Sequence, residues 1–227
     1  MYYFRLLFFL ALLPVVYLCN YATQRDPSPE SPRTLSTFFK DGVLISIPVI
    51  ICELLYSAFF EDGQTTDVGT IFFQVLYGVA LIEEGFKWII VMVKGYNNEN
   101  FDQSYDIIVY SIYTGLGFAA FENVEYVFTG GIITALSRML TAVPGHFCFA
   151  IAIGYFLSKA KIGQIEGRTI KEVFNGLLSI AVPIALHTIY DFLLEINEVE
   201  IWFIYIIILF LISFFVLNKS ARDNVNF

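Results

Sequence analysis

Five side chains able to do acid–base chemistry sit inside long apolar blocks, where a chain rarely places them: Glu83, Glu84, Glu122, His146 and His187. A charge at mid-membrane costs roughly 2.5–3.5 kcal/mol on insertion scales, so such residues face a protein interior and mark function. His146 and His187 are the only two histidines of the chain. Lys87 follows Glu83 and Glu84 by four and three residues, within reach of either on one helix face. The two carboxylates point about 100° apart, so one can pair with Lys87 while its neighbour points elsewhere. Asp191 stands one helical turn after His187; it can hold one ring nitrogen and leave the other aimed at a reacting group or a metal. Carboxylates and imidazoles in a wet pocket sealed from lipid are the components of peptide hydrolysis: an activated water, a base and an oxyanion donor.

Bland readings exist for each part. A Glu–Lys pair can brace a bundle, and a single buried histidine can be a hydrogen-bonded core residue. Neither accounts for both histidines and three carboxylates on four successive apolar blocks. Glu125, near Glu122 but closer to the interface, reads as a rim residue, and Asp106 as a cap or surface charge.

The elements that must position these residues are membrane helices. Of 227 residues, 57% are hydrophobic and 15% charged, with mean hydropathy +0.69; a soluble domain carries about a quarter charged residues. Apolar blocks at about 2–21, 42–60, 71–93, 105–128, 136–158, 173–195 and 200–217 match the ~20 residues a helix needs to cross hydrocarbon. The expectation is an all-α polytopic transmembrane bundle of about seven spans, forming a single domain over 1–227 with catalytic spans at about 71–195. No alternating strands suggest a β-barrel. The first block has Arg5, no small-x-small cleavage site and no small residue before Cys19, and reads as an uncleaved span. Ala22 to Asp41, rich in Pro and Ser, reads as a loop with little regular structure. Cys19, Cys52 and Cys148 read as small buried hydrophobes. A net charge of −8 argues against nucleic acid as a partner.

Loop charges set the orientation. Arg25, Arg33, Lys40, Lys94, Lys159, Lys161, Arg168, Lys171, Lys219 and Arg222 fall on one face of a seven-span chain, predicted to be cytoplasmic. The loops from Glu61 through Asp62 to Asp67, Thr129 to Ala135 and Glu195 to Glu200 carry no basic residue, with Arg138 just inside the fifth span. The N-terminus is then outside and the C-terminus cytoplasmic. At ~1.5 Å per residue, Glu122 and His187 lie about 9–12 Å below the outer surface, His146 somewhat deeper, and Glu83 and Glu84 roughly 18–20 Å down.

At these residues the chain resembles the PrsW family of bacterial intramembrane proteases, relatives of the CAAX-prenyl and bacteriocin-processing protease group. The matching blocks are Glu83-Glu84-x-x-Lys87-Trp88, Phe118-Ala119-x-x-Glu122-Asn123, His146 in a glycine-flanked apolar span, and His187-x-x-x-Asp191. They follow in order from about the second span onward. Asp106-Ile107 departs from an expected Asp-Gly pair, which touches no proposed catalytic residue. The resemblance implies a multi-pass endopeptidase of the bacterial cytoplasmic membrane that starts regulated intramembrane proteolysis. Its substrate would be a single-span membrane protein of anti-sigma-factor type, cleaved on the extracytoplasmic side of the lipid bilayer, with sigma factor release in a stress response.

Two mechanisms stay open. In one, Glu83 or Glu84 is the general base, His146 and His187 position the water and stabilise the oxyanion, Asp191 orients His187, and Asn123 donates to the substrate carbonyl. In the other, zinc sits on Glu122, His146 and His187 and a glutamate is the base. The alternative from another class is a proton-coupled transporter or channel, since buried Glu and His also build proton relays; the inverted repeats and paired broken helices of such folds are not visible.

Overall fold

In hydrocarbon every backbone N–H and C=O must be satisfied internally, so apolar blocks of this length fold as helices. The computed structural model describes residues 2–61, 63 and 65–227; Met1, Gln64 and Asp62 (the last within the loop expected to lack basic residues) lie outside the described residues. The elements are α1 (Tyr2–Thr23), α2 (Pro32–Phe60), α3 (Val68–Gln74), a π-helical segment (Val75–Ala80), α4 (Leu81–Ile90), a second π-helical segment (Val91–Gly95), α5 (Asp106–Leu140), α6 (Ala142–Ile165), α7 (Thr169–Glu195) and α8 (Val199–Arg222). Among the described residues there is no strand, only an isolated antiparallel bridge between Gln103 and Asn226.

Five helical stretches are long and apolar enough to cross a membrane among the described residues: α1, α2, the run 106–165, α7 and α8. The seven apolar blocks and these five stretches differ for a structural reason. Only Thr141 separates α5 from α6, and the third block is divided among α3, α4 and the two π-helical segments.

Two boundaries depart from expectation. The 22–41 stretch is not all loop, because α2 starts at Pro32. Ser31 caps it by accepting the Thr34 N–H at 3.1 Å, and proline suits a first turn whose N–H groups lack partners. Thr129 to Ala135 is not a plain loop either: helical structure runs through it, broken at Gly131, whose φ of 75° and ψ of −158° turn the chain. That turn carries the segment ending at Leu140 back along the bundle.

The centre is α5 packed on α6, with α1 and α2 against α5 and α7 against α6. Lipid offers no hydrophobic drive between helices, so close backbone approach through small residues does the work. A Cβ on Gly42 would stand 2.0 Å from the Thr114 carbonyl oxygen, and one on Gly117 would stand 2.1 Å from that of Phe39. A Cβ on Gly154 would meet Ile108 Cα at 2.4 Å. Cys19 and Cys148 are buried, while Cys52 is only half-buried. Outward faces are apolar, as on α8 with Ile204, Ile207, Ile208, Leu211 and Phe215.

Gly117→Ala should therefore destabilise the folded chain by about 1–3 kcal/mol, the usual cost of overpacking. Gly176→Ala, with nothing within 4 Å of its new carbon, should not. Urea unfolding in micelles distinguishes them, and equal stability of the two variants would refute the close α2–α5 crossing.

Asp26, in the loop after α1, is a second test point. Burial pushes its carboxyl up to about 6, against the lowering effect of the Ser28 N–H it accepts. The unfolded value is about 3.9. The folded state thus keeps a proton the unfolded chain releases, and the contribution present below pH ~4 is lost as pH rises through about 6. Asp26→Asn should raise the thermal midpoint at about pH 7.5 and leave it unchanged near pH 4; an equal effect at both would exclude the buried charge as the cause.

Candidate active site

The paired glutamates open α4, between the two π-helical segments. π-segments widen a helix by one residue and recur at functional sites. Adjacent positions on α4 would normally diverge, yet Lys87 gathers both. Its Nζ donates to Glu83 Oε2 at 2.9 Å, Glu84 Oε1 at 2.7 Å and His146 Nδ1 of α6 at 3.1 Å. Its ammonium also lies 4.1 Å from the centre of the Phe118 ring of α5. His187 of α7 joins through Nδ1, 3.0 Å from Glu84 Oε1. Glu83, Glu84, Lys87, His146 and His187 are all at most 5% exposed. Trp88 Nε1 donates to Ser179 Oγ at 2.8 Å and ties α4 to α7 just beyond the cluster.

The two imidazoles differ in what faces them. A carboxylate only accepts hydrogen bonds and an ammonium only donates them. His146 has Lys87 at Nδ1 and Glu122 Oε2 at Nε2, 2.7 Å away, which fits the neutral ring with its proton on Nε2. His187 stands between two carboxylates, with Glu84 at Nδ1 and Asp191 Oδ2 3.1 Å from Nε2. Both its nitrogens are therefore donors. Its ring stacks on Phe149 at 4.7 Å between centroids, which fixes its plane.

Beyond His146 the network runs outward. Glu122 Oε1 pairs with Arg138 Nη2 at 3.0 Å, and Arg138 also lies over the Tyr126 ring. The chain reversal at Gly131 brings Arg138 to this position. Asn123 is fully buried: its Nδ2 donates to the Ala11 carbonyl at 2.8 Å, and its Oδ1 accepts from Arg138 Nε at 3.0 Å. The expected donation from Asn123 to a substrate carbonyl is thus corrected. Its carboxamide is committed to α1 and to Arg138, and it supports the site from behind.

The four expected blocks converge, but the metal-ligand expectation changes. The residues whose ligand atoms all lie within 4.8 Å of one another are Glu83, Glu84, His146 and His187, not Glu122, His146 and His187. Glu122 meets the outer nitrogen of His146 and so stands one imidazole away. Two carboxylates and two imidazoles suit zinc in donor type. Glu84 Oε2, buried with no hydrogen-bond partner among the described residues, adds an unspent lone pair. The donor set therefore fits a metal at this position.

A cavity of about 710 Å³ reaches the cluster, walled by α2, α5, α6 and α7. Glu83, Glu122, His146, His187 and Asp191 line it, with Glu125 at its exposed rim; Glu84 lies behind, with 0% exposure. Glu53 and Arg138 line it as well, and the sequence reading gave neither a place in the site. Each had a signal. Glu53 is an acid inside an apolar block, and Arg138 is a basic residue at the predicted outer end of a span, against the loop-charge asymmetry.

Arg138→Met would leave the Glu122 carboxylate beside His146 without its guanidinium. The expected loss is about 1–3 kcal/mol. Adding Glu122→Gln should recover part of it, a coupling of roughly 0.5–3 kcal/mol in a double-mutant cycle followed by urea unfolding. Strict additivity would remove the link.

Residues 30–217 match a family described as PrsW family intramembrane metalloprotease. A protein named Protease PrsW in Oceanobacillus iheyensis is 32% identical over 184 residues, 81% of this chain and 80% of its own. Its namesake in Clostridioides difficile is 31% identical over 226 residues, 96% and 92% of the two chains. The Bacillus subtilis protein of that name is 29% identical over 217 residues, 95% and 94%. No solved structure matches the chain. The chain belongs to the PrsW family of intramembrane metalloproteases and is a multi-pass protease of the bacterial cell membrane.

Proposed function

We propose that the chain cleaves a single-span membrane protein of anti-sigma-factor type on the extracytoplasmic side, the first cut of regulated intramembrane proteolysis. The observation that carries this is the cavity wall. Glu83 meets a space large enough for water and an extended peptide, while its partner Glu84 is sealed behind it. Glu83 is then the general base that takes a proton from water, and Glu84 anchors Lys87 and His187. Lys87 holds both carboxylates in place and offsets their charge. His187, a donor at both nitrogens, presents the Nε2 proton near half-exposed Asp191, where a developing oxyanion can share it. His146, held in one tautomer by Glu122, keeps the water on the Glu83 side. Bound by Glu83, Glu84, His146 and His187, zinc would supply a Lewis acid and a more acidic water.

Orientation supports the side of cleavage. The cavity extends to Glu61 and Glu195, at the ends of α2 and α7 whose loops lack Lys and Arg. We take the chain to cross seven times, N-terminus outside and C-terminus cytoplasmic. The segment from Val68 to Gly95 spans about 40 Å at ~1.5 Å per residue, and the reversal at Gly131 divides the run 106–165 into two further crossings.

The test is co-expression of a tagged single-span anti-sigma factor with the wild type and with Glu83→Gln, reading substrate length on a gel. Loss of the base should cut the shortened product by about 10²–10⁴-fold. Substrate that the wild type never shortens would return the site to the proton-relay reading, and undiminished cleavage by Glu83→Gln would remove Glu83 from the mechanism.

A further inference from the structure

The donor set around Glu83 and Glu84 suits a metal, but a cation of this chain already stands there. Lysine has three N–H donors. Lys87 spends them on Glu83 Oε2, Glu84 Oε1 and His146 Nδ1, at 2.9, 2.7 and 3.1 Å. Those three residues are members of the four-residue group able to ligate a metal, and the fourth, His187, holds the same Glu84 oxygen at 3.0 Å. The Phe118 ring closes a further side of the ammonium, 4.1 Å from its centre. An ammonium so enclosed, at 2% exposure, has no vacant direction to retreat into without repacking.

Zinc bonds oxygen and nitrogen at about 2.0–2.2 Å. An ion at that distance from the same three atoms would fall on or against the position of Nζ. The two cations are therefore competitors for one place. We infer that the Lys87 ammonium is the cation this four-ligand site is built around, and that a divalent metal enters only by displacing it. The unpartnered Glu84 Oε2 is the lone pair left over for such an ion once the ammonium has gone. This inference concerns occupancy of the site and stands independently of the substrate proposed above.

The test measures metal rather than turnover. Wild type, Lys87→Met and Lys87→Gln are purified in micelles without chelator, zinc content is determined by elemental analysis, and Co²⁺ is titrated while its visible absorption is followed. Methionine keeps the side chain as far as Cε and removes the charged nitrogen. Both variants should take one Co²⁺ at least about tenfold more tightly than the wild type, a difference of 1.4 kcal/mol or more. Adding His187→Ala to either should abolish the band. Zn²⁺ should raise the thermal midpoint of Lys87→Met and leave that of the wild type unmoved. Wild type holding one zinc that Glu84→Gln removes would overturn the inference, and this arm decides even where the lysine variants fail to fold. Folded lysine variants that bind Co²⁺ no better than wild type would overturn it equally.

Discussion

Two carboxylates side by side in the interior of a membrane protein repel each other and have lost their water. Everything around the site answers that constraint. Lys87 supplies the nearest positive charge from the same helix, one turn on, so the pair and its counter-ion arrive together. From other helices, His187 donates to Glu84 Oε1 and His146 accepts from the Lys87 ammonium. Removing one partner of such a group leaves a buried charge uncompensated, which is far costlier than never burying it. The cluster is therefore an interlocked unit in which the position of each side chain depends on the others.

That unit imposes demands on the helices. The side chains of α4, α6 and α7 must meet within hydrogen-bond distance, and α5 must carry Phe118 to the ammonium. Close approach is obtained where side chains are absent: Gly42 and Gly117 let α2 settle on the backbone of α5, and Gly154 lets α6 approach Ile108. π-helical segments flank α4 on both sides, and the extra residue in such a turn rotates the helix face that follows. The bend at Gly131 has a chemical result, because it returns Arg138 to Glu122 and so extends the network from the buried ammonium to the rim of the cavity.

The network also divides the labour of two similar residues. Glu83 and Glu84 are neighbours with the same chemistry, but one lines the cavity and the other has no exposure. The histidines divide likewise, one between an ammonium and a carboxylate, the other between two carboxylates. Environment alone sets identical side chains in different surroundings, and such differences are what separate paired acids or bases in catalysis.

Much of this was legible in the amino-acid order. Apolar length dictates helices in lipid, and a charge inside such a block has nowhere to face but inward, so Glu83, Glu84, Glu122, His146 and His187 could be singled out before any fold was known. The reach of Lys87 to both glutamates and of Asp191 to His187 followed from helical periodicity, because those pairs lie within one or two turns. What crosses between helices was not legible. Spacing along the chain says nothing of which atom of His146 faces Lys87, and so the ligand set was read with Glu122 in place of the glutamate pair. Asn123 read as a donor to the substrate carbonyl, yet its carboxamide is spent on the Ala11 carbonyl of α1 and on Arg138. Arg138 looked like a stray charge near a loop until the turn at Gly131 folded it onto Glu122. Local order determined which side chains had to be buried together; only tertiary packing decided which of them touch, because contact between helices depends on their relative rotation and depth, and neither is written in the periodicity of any one helix.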